Sequence, residues 1–107
     1  MIRVKVEFWL WMGEELDKDF HSPSDMRSTL DMSAQDGTTI RGLFAHLADQ
    51  YGPIGEKIYS RGKREFYPNL VVTLNDRVVS PNEIHKRILD DGDKVTVLPM
   101  YMGGRSI

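Results

Sequence analysis

The chain has 107 residues, 14 Lys plus Arg against 16 Asp plus Glu, and no cysteine. That length supports one hydrophobic core without staples and predicts a single domain over residues 1–107, while the missing cysteine removes disulfides, thiolate metal sites and cysteine nucleophiles. A net charge of −2 lacks the clustered basic excess of a nonspecific nucleic-acid binder, and no apolar run approaches the roughly 20 residues that span a bilayer.

Residues 2–11 alternate: Ile2, Val4, Val6, Phe8 and Leu10 on one side, Arg3, Lys5, Glu7, Trp9 and Trp11 on the other. A period of two over ten residues predicts a strand with one buried face. It also leaves no signal-like apolar block at the start, so a cytoplasmic location is expected, with no nucleic-acid or membrane partner. Trp9 and Trp11 end the polar face, which has two readings. Either the following loop folds back over them, or they form a partner-binding patch of the kind aromatic residues favour. Met12 to Asp25 has loop composition, and its acidic residues lack the spacing of a ligand loop, so no metal site is expected there. A second strand follows at about Met26 to Ala34.

Gln35-Asp36-Gly37 breaks that strand, and Thr38 or Thr39 is positioned to cap a helix. Ile40, Leu43, Phe44, Leu47, Ala48 and Tyr51 then recur at steps of three and four, one apolar helical stripe, which Gly52-Pro53 is expected to stop. His46 and His85 each lack a second histidine at ligand spacing. Ile54, Ile58 and Tyr59 fit a short helical turn, followed by the basic loop Arg61-Gly62-Lys63-Arg64, whose reading is a solvated surface or a docking element. Leu70-Val71-Val72-Thr73-Leu74 is an apolar run of strand length. Asn75-Asp76 turns the chain, Arg77-Val78-Val79 returns as a short strand, and Ser80-Pro81-Asn82-Glu83 opens a turn or short helix. Asp91-Gly92-Asp93 is turn chemistry, Val95, Val97 and Leu98 form a strand, and Pro99 ends its ladder. One main helix against a mixed sheet of four to five strands is an α+β architecture.

No Gly-rich phosphate loop, His-Glu-x-x-His or Gly-x-Ser-x-Gly is present, so the chain is not expected to be an enzyme or to carry a cofactor. Asp90, Asp91 and Asp93 read as loop formers rather than a catalytic pair. What remains is the tail, Met100-Tyr101-Met102-Gly103-Gly104-Arg105-Ser106-Ile107, expected to be flexible from about residue 100. Two glycines with no side chain can enter a channel too narrow for any Cβ.

Leu-x-Asp-Gly-Asp-x-Val-x-Val-Leu-Pro (89–99), followed closely by Gly103-Gly104, resembles the close of the MoaD/ThiS sulfur carrier proteins. The resemblance implies the ubiquitin-like β-grasp fold, with the final strand parallel to the first at the sheet centre. It also implies that a ubiquitin-activating-type adenylyltransferase adenylates the Gly104 carboxylate, which a sulfur donor converts to a thiocarboxylate. An acceptor such as a molybdopterin synthase large subunit then takes the sulfur. Two departures stand out. Arg105-Ser106-Ile107 follows the glycines, so a tail-trimming peptidase is expected as a further partner. Met100, Tyr101 and Met102 replace the usual Pro and small residues; they either contact the activating or acceptor enzyme or pack back on the sheet. A ubiquitin-like modifier and a noncovalent β-grasp binding module with an inert tail are the alternatives.

Overall fold

Alternating Val4, Val6 and Phe8 are sealed from solvent on one face of strand β1 (Ile2–Phe8), and that face fixes the register of everything packed beside it. The computed structural model describes residues 1–9, 21–24 and 27–99. After β1 come β2 (His21–Ser24), β3 (Arg27–Ala34), α1 (Ile40–Gln50), α2 (Gly52–Lys57), β4 (Tyr59–Ser60), β5 (Glu65–Phe66), β6 (Leu70–Leu74), β7 (Arg77–Val78), α3 (Pro81–Lys86) and β8 (Lys94–Pro99). Among the described residues the main sheet has the order β2-β3-β1-β8-β6-β7, and β4–β5 forms a separate hairpin. β1 pairs antiparallel with β3 and parallel with β8, and β8 pairs antiparallel with β6. The first and last described strands therefore lie side by side in the middle of the sheet, as the resemblance implies.

The main sheet exceeds the expected four to five strands by one, β2, which falls in the segment read as loop. His21-Ser22-Pro23-Ser24 has no apolar alternation to betray a strand, and its proline fits an edge position, where a missing N–H costs no ladder bond. The rest of that loop, with Leu10 and Trp11, lies outside the described residues. Elsewhere β6 spans the predicted five residues and β3 runs Arg27–Ala34, Met26 lying outside the described residues, whereas β1 ends at Phe8, short of the alternation over residues 2–11.

Helix α1 begins where Thr39 Oγ1 accepts from the Gly42 N–H at 3.1 Å, and it buries Ile40, Leu43, Phe44, Leu47 and Ala48. Gly52-Pro53 does more than stop it. The chain turns at Tyr51 and starts α2 at once, with the proline in the first turn, where its fixed φ suits a helix start and no N–H is needed. The ambiguous stretch after Pro53 thus becomes α2, with Ile54 and Ile58 fully buried, and the β4–β5 hairpin, with the basic run as its turn. Phe8, Phe44, Phe66 and Tyr59 form a chain of edge-to-face contacts with centroids 6.1, 4.8 and 5.2 Å apart, tying β1, α1 and the hairpin into one core. α3 has a capping box, in which Ser80 Oγ accepts from the Glu83 N–H and Glu83 Oε1 accepts from the Ser80 N–H.

The acidic turn does structural work. Asp91 Oδ1 accepts from the Arg3 N–H, Asp93 Oδ2 from the Asp90 N–H, and Asp93 Oδ1 from Asn75 Nδ2. Gly92 sits at φ +88°, where a side chain would be strained, and its N–H donates to Arg3 O at 2.7 Å. These bonds bring the start of β8 against β1.

Phe44 is fully buried at the junction of sheet, helix and hairpin, so Phe44→Ala is expected to cost about 3–5 kcal/mol. Denaturant unfolding checks this; a loss below about 1 kcal/mol would show that the aromatic chain does not carry the core.

Candidate functional site

Because β1 and β8 run parallel, both leave the sheet at the same end. The Trp9 N–H donates to Val97 O at 2.9 Å, and Leu70, opening β6, is the register partner of Pro99. Pro99 has no N–H to extend the ladder. Pro99 therefore ends a central strand, with Trp9 of the β1 side and Leu70 of β6 as its flanking neighbours. Met100, Tyr101, Met102, Gly103 and Gly104, together with Arg105-Ser106-Ile107, lie outside the described residues, as does Trp11.

Trp9 is 38% exposed, and the loop that one of its two readings folds over it lies outside the described residues. Its position is set by two neighbours. The indole Nε1–H donates to Glu7 Oε1 at 2.7 Å, and the Arg27 guanidinium carbon stands 5.2 Å from the ring centroid, a cation–π distance. Arg27 in turn donates from Nε and Nη2 to Glu7 Oε2 at 3.0 and 2.7 Å. Each oxygen of the Glu7 carboxylate thus holds a different partner, and the three side chains lock one another.

Sequence reasoning missed Glu7 and Arg27. Glu7 sits on the polar side of the alternation and reads as solvated, yet it is only 4% exposed. Its register partner on β8, Thr96, is also buried. The available signal was the cross-strand pairing. Glu7 faces Thr29 on β3, which places Arg27 on the diagonal, within reach of a long side chain. Burial pushes the Glu7 carboxyl up. The Trp9 indole N–H and the Arg27 hydrogen bonds and charge, with a smaller contribution from Lys94, outweigh burial and hold it below its ordinary value of 4.5.

Among the described residues no group of three or more His, Asp and Glu side chains is placed to hold a metal ion, and the Asp91 and Asp93 carboxylates are occupied in the turn already described. No described helix is long and apolar enough to cross a membrane.

Comparison with solved structures gives the fold class. The chain matches small archaeal modifier protein 1 of Haloferax volcanii with a TM-score of 0.66 at 12% identity, covering 92% of this chain and 98% of that one. It matches the Haloferax volcanii protein HVO 2177 at 0.64 and 20%, covering 92% and 82%. It matches a Pyrococcus furiosus protein, provisionally assigned as molybdopterin converting factor, subunit 1, at 0.60 and 21%, covering 92% and 98%. No curated protein sequence matches it. With its mixed sheet closed by β1 against β8 over one main helix, it is a ubiquitin-like β-grasp protein. The ThiS family profile matches residues 26–104, and the chain belongs to that family.

Glu7→Gln is expected to cost about 1.5–2 kcal/mol at neutral pH, the lower part of the range for hydrogen bonds to charged groups, because the Arg27 side chain is 44% exposed. The folded carboxyl titrates below its unfolded value, so the unfolded chain takes up the proton first. The contribution is complete above the ordinary value of 4.5 and is lost as pH falls through the lower folded value. Denaturant unfolding of both proteins at neutral pH and well below 4.5 checks this; a gap that does not narrow in acid would rule out the carboxylate as its source.

Proposed function

We propose that this chain is a sulfur carrier that works through Gly104. The observation that carries this reading is the span of the family match, which closes on Gly104, the second glycine of the tail. It is supported by a fold whose central strand ends at Pro99, five residues before that glycine. A bare carboxylate is a poor electrophile and needs a leaving group. A peptidase first hydrolyses the Gly104–Arg105 amide. The freed carboxylate oxygen then attacks the α-phosphorus of ATP on an adenylyltransferase, forming an acyl adenylate and releasing pyrophosphate. Hydrosulfide supplied by a donor attacks the acyl carbon, the C–S bond forms, AMP leaves with the electron pair of the C–O bond, and loss of the sulfur's proton leaves the thiocarboxylate. The acceptor is a molybdopterin-synthase-type large subunit, and the carrier contributes the handle rather than the chemistry.

In this reading the body's part is recognition. Trp9 stands beside the root of the tail, exposed and held by Glu7 and Arg27, so an enzyme that threads the tail meets it at the channel mouth. Met100, Tyr101 and Met102 lie between that point and the glycines in sequence, and they supply apolar contacts to the same partner. The cytoplasm, where ATP and the partner enzymes reside, is the compartment this reading requires. A second reading, a ubiquitin-like modifier whose glycine forms an isopeptide bond with target lysines, is favoured by the likeness to small archaeal modifier protein 1.

The intact mass of the protein from its native cell decides between these readings. Loss of Arg105–Ile107 with replacement of one oxygen by sulfur is expected for the carrier. Conjugates on other proteins indicate the modifier, and an unchanged full-length mass overturns both. Gly104→Ala should abolish sulfur transfer without changing the thermal midpoint; retained transfer removes Gly104 from the mechanism. Trp9→Ala should weaken association with the adenylyltransferase at least about tenfold with only a small stability loss. Normal association with a large stability loss would make Trp9 structural.

A further inference from the structure

The basic run is built into a groove. Arg61 and Arg64, at the two ends of the β4–β5 turn, line a cavity of about 390 Å³ together with Thr39, Arg41, Asp49 and Tyr59. One wall is the side of α1 from its cap at Thr39 to Asp49, the other the hairpin. In a chain of net charge −2, three guanidiniums share this groove with one carboxylate among the described residues. Asp49 Oδ1 pairs with Arg61 Nη1 at 3.1 Å, both side chains being more than 60% exposed; a pair so solvated exchanges readily for another. Among the described residues, neither the Arg41 nor the Arg64 guanidinium has an ion pair.

Three further observations point the same way. The first turn of α1 contains no acidic residue, so the positive end of its dipole opens on the groove uncompensated. Arg64 is held at φ +57°. The other non-glycine residues with positive φ among those described are Asn and Asp, which tolerate that region, whereas an arginine there stores backbone strain of a kind concentrated at functional sites. Tyr59 is 1% exposed, and its hydroxyl has no partner among the described residues, leaving a donor idle in a wall already rich in donors.

Shape selects the ligand class. From Thr39 to Asp49 is ten steps of helix, about 15 Å at 1.5 Å per residue. That is far longer than a phosphate group, and the arginines are spread along it rather than gathered at a point. An extended peptide advances about 3.3 Å per residue, so the groove matches about four or five residues, and guanidinium forks pair with carboxylates in bidentate fashion. We propose that the groove between α1 and the β4–β5 hairpin docks an extended acidic segment of a partner protein, independently of the tail's chemistry.

The test is an amide-shift titration of the full chain with a synthetic hexaglutamate peptide, using pyrophosphate as the compact competitor. Saturable shifts confined to Gly42, Ala45, Asp49 and the hairpin turn are expected, weakening steeply with salt. The double variant Arg41→Glu, Arg64→Glu should lose at least about tenfold in affinity at low ionic strength while keeping its thermal midpoint, since neither guanidinium supports the fold through an ion pair. Arg41→Lys with Arg64→Lys should retain the charge but bind more weakly than wild type, because lysine lacks the fork. Shifts scattered over the surface, equal affinity in the charge-reversed variant, or displacement by pyrophosphate at concentrations well below those of the peptide would each overturn the proposal. The last outcome would make the groove a phosphate site instead.

Discussion

The parallel pairing of β1 with β8 is the constraint on which the rest of this structure depends. Two strands nearly ninety residues apart in sequence meet in the middle of the sheet, so their pairing closes the longest loop the described fold contains. Its register is set from both ends. Near the start of β8, the Asp91-Gly92-Asp93 turn hooks onto Arg3 and Lys5 through backbone and carboxylate bonds. At the far end, the Trp9 N–H reaches Val97 O. Shifting this register by one residue would turn Val95 and Val97 away from α1 and expose them, so the hydrophobic face and the turn specify the same alignment. That alignment decides where β8 ends, and hence which residues surround the root of the tail.

Most of the architecture was legible because most elements announce themselves locally. The period-two run of β1, the three-and-four stripe of α1 and the apolar block of β6 each match one conformation only; α1 and β6 fall within a residue of expectation, while β1 ends at Phe8, short of the alternation over residues 2–11. The closing motif also told of the central placement of β8, but through family resemblance rather than through periodicity. What stayed hidden was written in pairings. β2 is a strand because β3 offers it an edge, not because His21-Ser22-Pro23-Ser24 favours extension. Gly52-Pro53 carries the signs of a helix stop and of a helix start alike, and only the packing of α2 against α1 and β4 decides between them.

The site divides the same way. Trp9 stood out as an aromatic residue on a polar face, whereas Glu7, two residues earlier, looked like any solvated acid. Its role appears only when β3 is laid beside β1 and Arg27 falls on the diagonal. A carboxylate so placed would be a liability if either partner were lost, since a buried charge without compensation is costly. With both present it fixes an indole that would otherwise rotate freely at the end of a strand. The hairpin arginines show the converse. The run was visible as a string of like charges, but the groove it forms with α1 depends on how α2 turns the chain back against the helix.

The position of β8 has a mechanical consequence. A strand at the edge of a sheet can be peeled from its neighbour one hydrogen bond at a time, like a zip. β8 is flanked on both sides, by β1 and β6, so a pull along the chain beyond Pro99 loads both ladders in shear, and several bonds must yield together. A pull on the terminus would therefore move the whole body before unravelling it, and repeated pulls would leave the sheet intact.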